Sequence, residues 1–193
     1  MTRSVYIIGA AGSGKSTLTE HLIDTQLGWS LGEPETLHRS LVATHRVRFR
    51  GQRLYDAGED EIGVYFGVRR AEFPGTDACD KVCGPVAREW LRETELPPVL
   101  IGEGLRFTTR PFLTALSEVS DLTIVHLVAS EEELERRTLG RGSVHSDTFV
   151  TSTATRARNI AKFMDDKAAV ETFRTDELGP EGISPLLDFY LTS

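Results

Sequence analysis

The chain has 193 residues, with 22 basic and 29 acidic side chains and a formal charge of −7. That length fits one globular domain with a sizeable core, and the acidic balance excludes a global attraction to nucleic acid, so any such binding must rest on a local patch. No apolar run approaches the ~20 residues that span a bilayer, and the first strand begins without a signal peptide. A cytoplasmic protein with no membrane contact and no obligate protein partner is expected.

The first element is a short β-branched run, Val5-Tyr6-Ile7-Ile8, suited to a buried strand. Residues 9–16 then read Gly-Ala-Ala-Gly-Ser-Gly-Lys-Ser, a full G-x-x-x-x-G-K-[ST] phosphate loop. Apolar residues at helical spacing follow from Thr17 to Ile23. Small residues from Gly9 through Ala11, Gly12, Ser13 and Gly14 let backbone amides turn around a phosphate, and the helix start adds positive potential. Lys15 can reach the β- and γ-phosphates, the Ser16 hydroxyl can ligate Mg²⁺, and Thr17 opens the helix. A nucleoside triphosphate, taken as ATP with Mg²⁺, is the expected ligand.

From His38 to Arg53 the chain holds five arginines, two histidines and no acid. Its centre, His45 to Gly51, alternates basic and apolar residues, as an extended segment with one charged face would. Arg46, Arg48 and Arg50, with Arg69 and Arg70 further on, can bind phosphate groups of an acceptor. Phe49, Tyr65 and Phe66 can stack a base. The other reading is an exposed strand whose arginines block edge pairing.

Phe73-Pro74-Gly75-Thr76-Asp77 is a tight-turn signal. Asp77 at its end can take a proton from an acceptor hydroxyl or cap the helix that follows, and Asp56 is a lesser base candidate. Cys79 and Cys83 lack the further ligands a zinc site needs, so both are expected as reduced thiols. A helix is expected over 83–95, then a buried strand ending Ile101-Gly102-Glu103. Glu103 stands at the carboxyl end of that strand, where α/β sites form. It can hold Mg²⁺ through water, orient the acceptor, or pair with Arg106.

A helix from Pro111 to Leu116 precedes the central strand Leu122–Val128. Ser130-Glu131-Glu132-Glu133 reads as an N-cap with acids in the first turn, opening a helix that carries Arg136 and Arg137 and breaks at Gly140-Arg141-Gly142. A basic helix with Arg156, Arg158 and Lys162, a weak strand at 170–173 and an amphipathic helix at 183–191 complete the chain. Strands alternating with helices imply a parallel sheet covered on both faces. The expected fold is a three-layer α/β P-loop domain.

The early phosphate loop, with His126-Leu127-Val128 leading into the Glu/Arg-rich helix, resembles the small P-loop kinases, such as those of nucleoside monophosphates and small metabolites. No Asn-Lys-x-Asp guanine-reading sequence is present, and no strand ends in the Asp-Glu of a mechanical ATPase. The resemblance implies a single kinase domain over 1–193, with an acceptor-binding insert at about 33–95 and a lid at about 136–155. It also implies that Arg136, Arg137 and Arg141 close over the triphosphate and stabilise the transferred phosphoryl group, with Arg137 and Arg141 foremost. Otherwise these arginines are partners of Glu132 and Glu133 at helical spacing.

Arg69-Arg70 running toward Phe73-Pro74-Gly75-Thr76-Asp77, the Gly102–Phe107 element and the stretch 146–159 are similar to virus-encoded P-loop kinases of DNA base modification. That likeness implies 5-hydroxymethyluracil in DNA as acceptor. The alternatives are a deoxynucleoside monophosphate or small-metabolite kinase, and a nucleotide-dependent switch or DNA-binding ATPase.

Overall fold

The computed structural model describes residues 1–70, 74–140 and 147–192. Strand β1 (Arg3–Gly9) is followed by α1 (Lys15–Glu20), whose axis continues as one π-helical segment, His21–Gln26. Next come β2 (Ser30–Leu31), β3 (Glu35–Val42), β4 (His45–Tyr55) and β5 (Glu61–Phe66). A 3₁₀ turn at Thr76–Ala78 leads to α2 (Gly84–Glu93), β6 (Val99–Glu103), α3 (Arg110–Val119) and β7 (Asp121–Val128). The chain then forms α4 (Glu131–Gly140), α5 (Asp147–Met164), β8 (Ala169–Arg174) and α6 (Pro180–Thr192).

Among the described residues one sheet runs in the order β2-β4-β5-β6-β1-β7-β8, with β3 paired to β4. Its middle is parallel, from β5 through β6, β1 and β7 to β8. Helices cover both faces, as a parallel sheet requires. Tyr6, Ile8, Phe66 and Leu100 pack under α2, α3 and α5, while Val5, Ile7, Tyr65 and Ile101 pack under α1 and α6. This is the fold expected of a P-loop kinase.

The alternating stretch 45–51 belongs to a strand whose pairing with β3 and β5 is antiparallel. These antiparallel strands extend the parallel sheet at one edge. The helix after the phosphate loop is shorter in its α form than periodicity predicts, because the chain passes into the wider π turn at His21. Ser130 does cap α4, its hydroxyl accepting the Glu133 amide at 3.4 Å. Both cysteines are free and buried. No helix among the described residues is long and apolar enough to cross a membrane.

One expectation is corrected. Phe49, Tyr65 and Phe66 are each no more than 1% exposed, so none presents a face to a base. Phe49 and Phe66 lock against Trp90 with centroids 5.5 and 5.9 Å away, giving α2 a rigid aromatic seat.

Candidate active site

The phosphate loop joins β1 to α1 at the carboxyl end of the sheet. Gly14 adopts φ +91° at the cap of α1, a left-handed conformation that a side chain would strain. Gly12, at φ +81°, leaves no room either: a Cβ there would lie 3.0 Å from Thr138 Oγ1 and 3.2 Å from the Leu134 carbonyl. The loop is thus pressed against α4. From α5, Thr153 Oγ1 accepts the Ala11 amide at 3.2 Å. The Lys15 ammonium donates to the carbonyls of Ala10 (2.7 Å) and Gly9 (3.2 Å). Ser13 Oγ is buried without a hydrogen-bond partner, a polar atom inside a loop whose geometry suits an anion.

Glu103 closes the site from the end of β6, with Ile7 of β1 as its neighbour. It is 2% exposed. The Ser16 hydroxyl donates to Oε2 at 3.1 Å and the Tyr65 phenol to Oε1 at 3.3 Å. Burial pushes the Glu103 pKa above the ordinary carboxylate value, while Lys15, Ser16 and Tyr65 pull it back. Beneath it, Thr76 Oγ1 donates to the Glu103 carbonyl at 2.8 Å and Tyr6 Oη donates to the Gly104 carbonyl at 3.0 Å. Gly75 packs so closely on Glu103 that a Cβ would sit 2.7 Å from its Cγ. The carboxylate is held from below and from both sides, with its partners on β5 and α1 rather than on Arg106.

Asp77 lies beside this floor, and its two oxygens accept the backbone amides of Leu105 (3.2 Å) and Arg106 (2.9 Å). It caps no helix, since α2 begins after Cys83. Its hydrogen bonds pin the loop after β6 to the 3₁₀ turn, and so hold the backbone on which Glu103 stands. Asp56 likewise turns inward, accepting the amides of Gly58 and Asp60 in the loop before β5.

The arginines divide by role. Arg46 and Arg48 are exposed and Arg50 is half-buried, all on one face of β4 by strand alternation. Gln52 and Leu54 continue that face down to the α1 side of the sheet. Arg53 is different: it pairs with Glu35 and Glu61. Arg69 donates through Nη1 to both oxygens of Asp24 at 2.8 Å, and its amide donates to Gln52 at 2.6 Å. Its Nη2 is buried with no hydrogen-bond partner among the described residues. Arg70 is exposed next to it.

On the far side of the phosphate loop, a cleft of about 300 Å³ is lined by Gly14, Thr17, Arg137, Thr175, Leu178 and Pro180, among others. Arg137 forms its wall, donating to Glu133 at 2.6 Å, to Thr175 Oγ1 at 2.9 Å and to the Thr175 carbonyl at 2.7 Å. Its Nη1 is 3.8 Å from where a Cβ on Gly14 would be. Arg136 is exposed and shares Glu133, whose pKa these two guanidinium partners draw down to about 2. Both arginines therefore do pair with a helical neighbour, while Arg137 also borders the loop. Arg141 and Phe73 lie outside the described residues.

Thr153 and the wall at 175–180 are parts of the site that sequence reasoning missed, while Tyr65 was expected to stack a base and Thr76 only to sit in a turn. Tyr65 carried a usable signal, because period-two alternation sets it on the opposite face from Val64 and Phe66. The others are single hydroxyls or turn residues, brought to the loop only by tertiary packing.

A family model described as P-loop Nucleotide Kinase3 matches residues 1–189. None of the curated proteins matches the chain. Among solved structures, an unliganded sugar kinase from Janibacter sp. HTCC2649 is 14% identical, with 99% of this chain and 95% of that one covered and a TM-score of 0.43.

Proposed function

The chain belongs to the P-loop nucleotide kinase family, and from that premise we propose that it moves the γ-phosphoryl group of ATP to a hydroxyl on a nucleobase-containing acceptor, specifically 5-hydroxymethyluracil in DNA. The observation that carries this reading is Glu103: a buried carboxylate tied to Ser16 of the phosphate loop on one oxygen and to Tyr65 of β5 on the other. It stands between a donor cradle and a strand layer whose outer face bears unneutralised arginines.

The donor half uses Gly9, Ala11, Gly12, Ser13, Gly14, Lys15, Ser16 and Thr17. Loop amides surround the β-phosphate, and Lys15 exchanges its carbonyl partners for β- and γ-phosphate oxygens. The cleft by Thr17 and Arg137 receives the nucleoside end, which gives Arg137 a donor-binding role at the rim. Ser16 and Glu103 offer oxygen donors only, the chemistry Mg²⁺ requires. Ser16 would ligate the ion directly and Glu103 would fix one of its waters, the ion supplying charge neutralisation at the phosphates.

In the acceptor half the hydroxyl oxygen attacks the γ-phosphorus in line. The new O–P bond forms as the bond to the β–γ bridging oxygen breaks, and ADP departs. Glu103 orients the hydroxyl and accepts its proton. Asp77 supports this role through the backbone rather than taking the proton itself. Arg46, Arg48, Arg50, Arg69 and Arg70 hold acceptor phosphates. The insert at about 33–95 is thus the acceptor-binding part of a single kinase domain, and the stretch at about 136–155 its lid.

Tyr65 tests the assignment of Glu103 without removing it. The phenol hydrogen bond favours the ionised carboxylate, so Tyr65→Phe should raise the Glu103 pKa further. The acid limb of the kcat–pH profile should move to higher pH, with the plateau rate retained. An unmoved limb with a lowered plateau would reduce Tyr65 to a packing residue.

The acceptor is tested with γ-labelled ATP and a panel of hydroxymethyluracil-containing DNA, unmodified DNA, nucleoside monophosphates and no acceptor. Label on the modified DNA alone is expected. Label on the monophosphates would instead make the arginines a clamp for one acceptor phosphate. Hydrolysis without transfer, stimulated by plain DNA, would indicate a DNA-dependent ATPase.

A further inference from the structure

The β3–β4 hairpin runs on past the sheet that supports it. Among the described residues β4 pairs with β5 from Gly51 to Tyr55, so His45–Arg50 have β3 as their sole strand partner there. At about 3.3 Å per residue, that overhang carries the tip roughly 20 Å beyond the carboxyl end of β5. This is the end of the sheet at which Glu103 and the phosphate loop lie.

The two faces of the overhang differ in chemistry. Val47 and Phe49 turn inward, buried against the aromatic seat that Trp90 provides. The Arg48 amide is tied to Asp80 at 3.0 Å, so the hairpin is braced rather than loose. On the outer face, Arg48 stands across from Arg39, and Arg46 stands across from Leu41. Among the described residues, ion pairs from residues 38–53 go only to His38 and Arg53, which leaves Arg39, Arg46 and Arg48 unneutralised. Leu41 is 68% exposed, just before a turn with Ala43 at φ +55°. A lone exposed leucine is ordinary. One framed by three uncompensated arginines on the tip of a braced, projecting hairpin has the composition of a duplex-opening element.

We propose that this hairpin is a wedge for duplex DNA: Arg39, Arg46 and Arg48 hold phosphodiesters, and Leu41 enters the base stack where the acceptor base has left it. The proposal rests on the reading of the acceptor as a base within DNA. A base inside a duplex cannot reach a buried carboxylate, so it must be extruded, and an apolar side chain filling the gap keeps the vacated stack from closing. The net charge of −7 repels a polyanion as a whole, so the hold falls to a few local phosphate contacts with a measurable salt dependence.

The test compares initial rates on one hydroxymethyluracil oligonucleotide as a single strand and as a duplex, the latter carrying 2-aminopurine opposite the acceptor base. Leu41→Ala should lower the duplex rate by about tenfold or more and leave the single-strand rate unchanged. It should also abolish the rise in 2-aminopurine fluorescence that the unmodified protein produces on binding. Leu41→Met should restore both. Arg46→Ala with Arg48→Ala should weaken binding to both forms and flatten the salt slope by about 2. Equal rates of Leu41→Ala and the unmodified protein on the duplex, or an equal loss on both forms, would overturn the wedge while leaving the acceptor assignment intact. If the unmodified protein labels only mononucleotides, the acceptor assignment itself fails and takes the wedge with it. A salt slope unaltered in the arginine variants would remove Arg46 and Arg48 from phosphate contact and overturn the wedge.

Discussion

Lys15→Ala should abolish phosphoryl transfer to every acceptor, with turnover falling by about 10³-fold or more and the melting temperature little changed. The ammonium donates to loop carbonyls, at 2.7 and 3.2 Å from Ala10 and Gly9, and it fills no core position. What it supplies is a mobile positive charge beside the point where the γ-phosphoryl group leaves. Losing one preorganised charge-stabilising group at a reacting centre costs on the order of 10²–10³ in rate, and here nucleotide positioning is lost with it. Lys15 also lowers the Glu103 pKa, so any residual activity should shift to higher pH. Transfer retained at near the parental rate would show that the donor site lies elsewhere.

Glu103→Gln should reduce kcat by about 10²–10⁴-fold, the usual contribution of a positioned general base, with ATP still bound. The same substitution should raise the melting temperature at neutral pH. The sign follows from burial: the folded-state pKa lies above the ordinary value of 4.5, so the folded protein binds this proton more tightly than the unfolded chain does. The stability that Glu103 contributes is therefore full below pH 4.5 and is lost as pH rises through the elevated pKa. Glutamine does not titrate. The variant's thermal advantage should grow from acid toward pH 7–8, the opposite of its activity. A variant less stable at pH 8 than the parent would mean that the hydrogen bonds from Ser16 and Tyr65 outweigh burial of the charge. Full activity in that variant would remove Glu103 from the chemistry.

Gly75, Thr76 and Tyr6 support the backbone that carries Glu103, and Lys15, Ser16 and Tyr65 lower a carboxylate pKa that burial raises. The turn at Pro74-Gly75-Thr76-Asp77 is the mechanical support for this arrangement. Its own acid serves the backbone of the following loop.

The donor half was legible in the sequence because its chemistry is contiguous. A phosphate loop is eight consecutive residues whose spacing carries the whole backbone geometry, and the flanking strand and helix declare themselves by periodicity. The central strands β1, β6 and β7 were equally plain, since strands buried on both faces read as unbroken apolar runs. The proposed acceptor half is assembled from pieces far apart in the chain, and local patterns mislead there. Phe49 and Phe66 look like stacking surfaces beside arginines, yet alternation turns them into the core. Arg53 continues the arginine series by composition but is neutralised by Glu35 and Glu61. Arg69 is directed by Asp24, which reaches it from the π-helical turn, and no spacing rule links those two positions. Asp77 could be placed near the site but not given its partners, because backbone amides leave no mark in a sequence.

The proposed acceptor stands or falls on where the transferred phosphoryl group ends. The most direct measurement is to treat hydroxymethyluracil-containing DNA with γ-labelled ATP and the protein, digest the repurified product to nucleotides with nucleases free of phosphatase, and locate the label. Label is expected on the hydroxymethyl oxygen of the modified base, none on unmodified DNA, and none in either sample with Lys15→Ala protein. Label confined to strand termini, or recovered only on free mononucleotides, would contradict that acceptor.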